Sequence, residues 1–292
     1  MPDSIQTGLS RPKATLLLVA TAALWSLGGL LIKMVVWHPV AIAGARSAIA
    51  AVFLLFVHRR PRLTWSRPQI GGAIAYAATV ILFVSANKLT TAANVILLQY
   101  TAPIFVALLG AWLLKERVSW LDWLTIAIVV AGMALFFLDD LEPGSMWGNT
   151  LAIASGLSFA ALIVFLRMQK DGSPLDSILF GNVLTALIGI PFMFIAAPSA
   201  KSLGVLVVLG ICQLGLPYIL YALAIKHVTA LEASIIPIVE PILNPVWVFL
   251  MMGETPGPWA LAGGLVVLLV VTGRCILVAF QGRTVGDGGL AQ

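Results

Sequence analysis

The chain has 292 residues, 60% of them hydrophobic and only 10% charged, with a mean hydropathy of +1.03. Soluble domains carry about 25% charged residues, so a water-soluble globule of 31.0 kDa is excluded. The net charge of +5 does not point to nucleic acid either. The basic residues fall in short links between long apolar runs, where they set membrane orientation.

Asp, Glu, Lys and Arg are absent from 14–32, 68–87, 89–114, 143–166, 177–200, 202–225 and 255–273. Roughly 20 apolar residues cross the hydrocarbon as a helix. Continuous stretches such as LLLVA and VVLLVV lack the alternation of a membrane barrel strand, and a signal peptide would account for the first run alone. The fold class is an all-α polytopic membrane protein. Punctuation by Pro, Gly and charge predicts ten transmembrane helices, at 14–36, 39–58, 70–88, 92–114, 120–138, 148–168, 174–197, 203–225, 231–252 and 257–280.

Taken in chain order, the polar and aromatic residues inside these spans are few. ALWSLGG in the first carries Trp25 and Ser26, GARSA in the second carries Arg46, and the third holds Tyr76. The fourth holds Asn94, Gln99, Tyr100 and Pro103 and ends on Lys115 and Glu116. Ser155, Ser158 and Phe159 lie in the sixth, Asn182 in the seventh, and Gln213, Tyr218 and Tyr221 in the eighth. Such side chains suit either an amphipathic organic solute or interhelical packing. Trp112, Trp120, Trp123 and Trp147 lie at span ends and read as interfacial anchors. Cys212 and Cys275 lie within spans without metal-ligand spacing and read as small apolar packers.

With the N-terminus in the cytoplasm, Arg11, Lys13, Arg59, Arg60, Arg62, Arg67, Lys115, Arg117, Arg167, Lys170, Lys226 and Arg283 fall on that side. Lys33, Lys88 and Lys201 fall at the outer side. This bias satisfies the positive-inside rule, and an even number of spans returns the C-terminus to the cytoplasm.

The two halves resemble each other. TTAANVILLQYTAPIFVALLGAWLLKE aligns with TALEASIIPIVEPILNPVWVFLMMGE so that Thr91, Pro103 and Glu116 recur 138 positions later as Thr229, Pro241 and Glu254. Five spans per half force the copies to insert with opposite orientation, as in many secondary transporters. We therefore expect two inverted five-helix repeats around a central cavity. The first covers 1–138, an external linker covers 139–147, the second covers 148–280, and a cytoplasmic tail covers 281–292.

The ninth span, IIPIVEPILNPVW, is the most unusual. Pro237, Pro241 and Pro245 recur every four residues, so their distortion of the helix falls on one face. Freed carbonyls in hydrocarbon need another partner or a cavity, so these prolines and Pro103 are expected to form a gate or cavity wall. Glu240 facing lipid would cost several kcal/mol, so it faces the bundle or water. It is read as a substrate-amine contact, a proton-coupling group or a structural clasp.

No HExxH, GxSxG, CxxC, P-loop or dinucleotide fingerprint occurs. His38, His58 and His227 have no metal spacing, and neither cofactor nor metal is expected. An inverted duplication around a cavity gives alternating access, so the chain is read as a transporter rather than an enzyme. An intramembrane enzyme is the reading from another class.

ALWSLGGLLIK, YTAPIFVALLGAWLLKE and VEPILNPVWVFLMMGE together resemble the drug/metabolite transporter superfamily, specifically its ten-helix EamA-type members, over about residues 14–280. Within it, the chain is similar to bacterial inner-membrane exporters of aromatic amino acids. That resemblance implies a monomer whose third, fourth, eighth and ninth helices line a central cavity and whose fifth and tenth pack the halves together. It makes Pro103 and Pro241 the repeat prolines and Glu116 and Glu254 the repeat-ending carboxylates. Tyr76, Gln99, Tyr100, Phe159, Tyr218, Tyr221 and Glu240 are the cavity candidates. Lys115 departs from the repeat pattern, since Gly253 stands in its place. The resulting expectation is export of amino acids, aromatic and a broader range, across a bacterial inner membrane, with another small metabolite or a drug as the alternative cargo.

Overall fold

The computed structural model describes residues 9–136, 138, 145–243 and 257–287, and all regular structure among them is helical. We number the helices α1 (Arg11–Trp25), α2 (Gly28–Met34), α3 (Pro39–Val57), α4 (Arg67–Leu89), α5 (Ala92–Gln99), α6 (Ala102–Leu109), α7 (Trp120–Phe136), α8 (Met146–Met168), α9 (Pro174–Met193), α10 (Ala200–Val208), α11 (Leu216–Ala224), α12 (Ala230–Ile235) and α13 (Pro258–Asp287). Wider π-helical turns at Gly110–Leu114 and Leu209–Gly215 extend α6 and join α10 to α11, and a tight 3-10 turn at Ile236–Val239 follows α12.

Among the described residues, seven helical stretches are long and apolar enough to cross a membrane: Arg11–Met34, Pro39–Val57, Arg67–Leu89, Asn94–Leu114, Met146–Met168, Pro174–Met193 and Ala200–Ala224. Trp120–Leu135 and Leu261–Gly273 are shorter apolar helices. The chain is a multi-pass membrane protein. Its outer surface agrees, since Leu16, Phe56, Trp112 and Phe194 are 67%, 76%, 75% and 84% exposed. Lipid tolerates such a surface, whereas water would penalise apolar patches of that extent.

Local chemistry starts the helices where charge and proline indicated. Proline occupies the first turn of α1, α3, α4 and α9, where its missing N–H costs nothing. Side-chain oxygens of Ser66, Thr91, Ser145, Ser199 and Thr229 cap α4, α5, α8, α10 and α12. The cap of α12 is a full capping box. Glu232 N–H donates to Thr229 Oγ1 at 3.2 Å, and Thr229 N–H donates back to Glu232 Oε2 at 2.9 Å.

The helices pack in reciprocal pairs. α4 lies on α8 while α1 lies on α11, α3 lies on α9, and α7 lies on α13. Close approach between α3 and α9 depends on Gly44 and Gly189. A Cβ added at Gly189 would stand 2.6 Å from Gly44 Cα, closer than any side chain tolerates.

Several boundaries differ from expectation. The first span breaks after Trp25 and the fourth at Tyr100–Thr101, while α8 begins at Met146 and α13 continues to Asp287. Of the expected ninth helix, residues 231–243 are described, with helical backbone resuming at 240–243. Pro245 and Glu254 lie outside the described residues.

Candidate functional site

The prolines of the ninth helix set up the site. Pro237 has no N–H for Ala233 O, its acceptor four residues back. The Tyr221 hydroxyl donates to that carbonyl instead, at 3.0 Å. Pro241 likewise abandons Pro237 O, which accepts from Glu240 N–H in the tightened turn. Tyr100 Oη stands 3.1 Å from Pro237 O and 2.5 Å from Glu240 Oε2. A phenol has one proton, and the shorter contact assigns it to the Glu240 carboxyl oxygen.

The fourth helix shows the same principle with a different remedy. Pro103 frees Gln99 O, and that carbonyl lies against Gly156 of α8, where an added Cβ would meet it at 2.8 Å. Glycine leaves the carbonyl room. Thr101 Oγ1 donates to Leu98 O at 2.7 Å, satisfying another acceptor at the break. The Gln99 side chain donates to Ser155 Oγ at 2.9 Å, and Ser155 Oγ donates onward to Thr79 O at 3.1 Å.

These two breaks flank an internal cavity of about 50 Å³. Trp25, Phe159 and Tyr218 supply an aromatic wall, with ring centroids 5.8 Å (Trp25 to Phe159) and 5.2 Å (Trp25 to Tyr218) apart. Val80, Phe83 and Leu214 add apolar lining. The polar lining is Arg46, Thr79, Gln99, Tyr100, Gln213 and Glu240. Small-molecule sites commonly enclose about 300–1,000 Å³, so this space is smaller than a typical ligand site.

Of the seven cavity candidates, Gln99, Tyr100, Phe159, Tyr218 and Glu240 line this space. Tyr76 and Tyr221 stand behind it. Tyr76 packs edge-on against Tyr218 at 4.9 Å and donates to Asn182 Oδ1 at 3.0 Å, and the Tyr221 ring lies 5.5 Å from Trp25. Pro237 and Pro241 shape the wall through the carbonyls just described. Arg46 was not among the cavity candidates, because nothing in the sequence supplied its partner. That partner is Gln213, 167 residues away, whose Oε1 accepts from Arg46 Nη1 at 2.9 Å.

Glu116 lies away from the cavity, where three helices meet. It accepts from Arg167 Nε at 3.2 Å and from Ala230 N–H, at the start of α12, at 3.0 Å. Arg167 Nη1 also donates to Ile225 O and Lys226 O, at 3.1 and 2.9 Å. Nearby, Arg11 pairs with Glu232 at 2.6 Å. This cluster ties the end of the fourth span to α8 and α12, and α1 to α12.

A profile of the EamA-like transporter family matches residues 12–138 and again 146–273. The chain belongs to that family. It is a secondary transporter of small molecules across a membrane. Among the described residues no group of three or more His, Cys, Asp or Glu is placed to hold a metal. An uncharacterized transporter of Archaeoglobus fulgidus is 27% identical over 203 residues, 69% of this chain and 74% of the relative. The pseudopaline exporter CntI of Pseudomonas aeruginosa is 20% identical over 232 residues, 77% of this chain and 81% of the relative. A probable amino-acid metabolite efflux pump of Escherichia coli K12 is 25% identical over 194 residues, 65% and 64% of the two chains. A protein crystal structure shares the fold, with a TM-score of 0.76 at 19% identity over 90% of this chain and 96% of that one.

Proposed function

We propose that this EamA-family chain is an alternating-access exporter of small organic metabolites or drugs. In this reading it has ten spans in two inverted repeats, 1–138 and 148–280, joined by an external linker at 139–147. Both termini lie in the cytoplasm of a bacterial inner membrane, and the monomer is the working unit. The observation that carries the reading is the composition of the cavity. Its wall joins Trp25, Arg46, Gln99 and Tyr100 from the first half to Phe159, Gln213, Tyr218 and Glu240 from the second, beside helix breaks in both. A cavity at such a join changes access when one half rocks against the other. The reciprocal pairing of α4 on α8 and α1 on α11, and the two separate profile matches, support the repeat.

Amino acids, including aromatic ones, are the second reading. The aromatic wall beside Arg46 and Glu240 favours a ligand with an apolar body and ionised ends. The similarity to a pseudopaline exporter and to a probable amino-acid metabolite efflux pump supports export of organic metabolites generally.

The test is flux through purified protein in liposomes. Labelled amino acids, other small metabolites and lipophilic drugs are compared, each with unlabelled competitors. Protein-dependent, saturable flux of at least one class is expected. Flux of drugs or non-amino metabolites without amino-acid competition removes the second reading only, and no protein-dependent flux of any class removes the first.

A further inference from the structure

Arg46 is a residue of the cavity wall whose hydrogen bonding the fold leaves unfinished. It lies within α3, in the apolar sequence AIAGARSAIA, and is 1% exposed. A guanidinium carries five N–H donors and no acceptor. Its Nη1 donates to Gln213 Oε1 at 2.9 Å, while its Nε is buried with no hydrogen-bond partner. The ion pairs among the described residues are Arg11–Glu232, His58–Asp176 and Arg167–Glu116, so no carboxylate among those residues forms an ion pair with Arg46. Glu240 lines the same cavity without ion-pairing to it, and its Oε2 is held by Tyr100.

A buried guanidinium that serves only packing is normally paired, because isolating its charge from water costs several kcal/mol. This one is instead oriented with its Nε unpaired. Gln213 holds one end of the fork, and Gly28 makes room for the Gln213 amide, since a Cβ there would meet Nε2 at 2.7 Å. A planar fork fixed in this way suits a carboxylate, which it can grip with two parallel hydrogen bonds.

We propose that Arg46 is the carboxylate-binding residue of this cavity, making its ligands organic carboxylates with an apolar body, amino acids among them. The proposal rests on the cavity being the substrate site, as read above. The aromatic wall takes the apolar body, and Arg46 separates acids from their uncharged analogues. Sites built around a hydrogen-bonding or charged group reject analogues that leave that group unpaired far more strongly than apolar pockets reject a missing methylene.

The experiment uses the full chain in liposomes with labelled phenylalanine and, separately, a labelled lipophilic cation. Unlabelled phenylalanine and phenylalaninamide, which lacks the carboxylate, are the competitors. In the wild type, phenylalanine should be carried, and the amide should compete at least about tenfold more weakly. R46Q should shrink that ratio below about threefold by weakening phenylalanine, with the amide little changed. Should R46Q fail to fold, the wild-type ratio decides. Equal competition by acid and amide, or transport of the cation with none of phenylalanine, overturns the role of Arg46 while leaving the exporter reading intact. Failure to carry either labelled compound, together with silence of the wider metabolite panel, removes the exporter reading itself.

Discussion

Tyr100 and Glu240, 140 residues apart in sequence, meet at 2.5 Å, phenol to carboxylate, where the two broken helices face each other across the cavity. The contact joins the first half of the chain to the second at its most distorted turn. We read Glu240 as the clasp of that turn rather than as a proton-coupling group. In the aligned half, Ala102 stands where Glu240 would be, which argues against a symmetrical relay of two carboxylates.

Glu240→Gln should therefore keep the Tyr100 contact through its amide oxygen, retain most flux, and respond to an imposed pH gradient as the wild type does. Glu240→Leu should impair folding or flux, and Tyr100→Phe should lose about 1–3 kcal/mol of stability by stripping a donor from the carboxyl. Thermal unfolding in detergent and flux under a gradient measure both. Loss of gradient-driven accumulation in E240Q with downhill exchange intact would make Glu240 the coupling group.

The Tyr221–Ala233 bond yields a sharper test, because its cause is known. Tyr221→Phe leaves Ala233 O without its donor and should cost about 1–3 kcal/mol. Pro237→Ala restores an N–H four residues on from that carbonyl. In the P237A background the Y221F loss should fall to about 0.5 kcal/mol or less, a coupling measurable by a double-mutant cycle. Additive losses would mean that the hydroxyl is not there to replace the missing N–H.

Glu116 accepts from both Arg167 and Ala230, so Glu116→Ala should loosen the start of α12. A cysteine at Leu231, buried in the folded chain, should then react several-fold faster with a soluble thiol reagent. Unchanged reactivity would mean that the Arg11–Glu232 pair and the capping box hold this end alone.

The sidedness proposed for the fold rests on the distribution of charge. In a background lacking Cys212 and Cys275, a cysteine at Arg62 should react with an impermeant reagent from the cytoplasm only, and one at Trp147 from outside only. Labelling of both from one face would end the inverted-repeat reading.

Much of the helical layout was legible because charge is so unevenly spread. The charge-free runs mark where the long apolar helices lie, and Pro marks where two of them start, at Pro39 and Pro174. Pro103 and Pro237 also announced that carbonyls would be freed. What takes those carbonyls was not legible, because Tyr221 reaches Ala233 by tertiary packing and Gly156 merely vacates space for Gln99 O. Arg46 was visible as an oddity but not as lining, since its partner Gln213 lies on a π-helical turn of another span. The π turns left no periodic signal, and the breaks at Ser26 and Thr101 fall inside charge-free runs that read as single spans.

The central claim is that the cavity between the halves is the path of transport, and thiol access to its wall tests it most directly. Single cysteines replace Val80 from the first half and Leu214 from the second, in the cysteine-free background, and labelled-ligand flux is followed in liposomes while an impermeant reagent is added to either side. Reaction from each side, slowed by transported ligand and accompanied by loss of flux, is the predicted result. Complete modification at both positions with undiminished flux would contradict it, because ligand would then be crossing somewhere else.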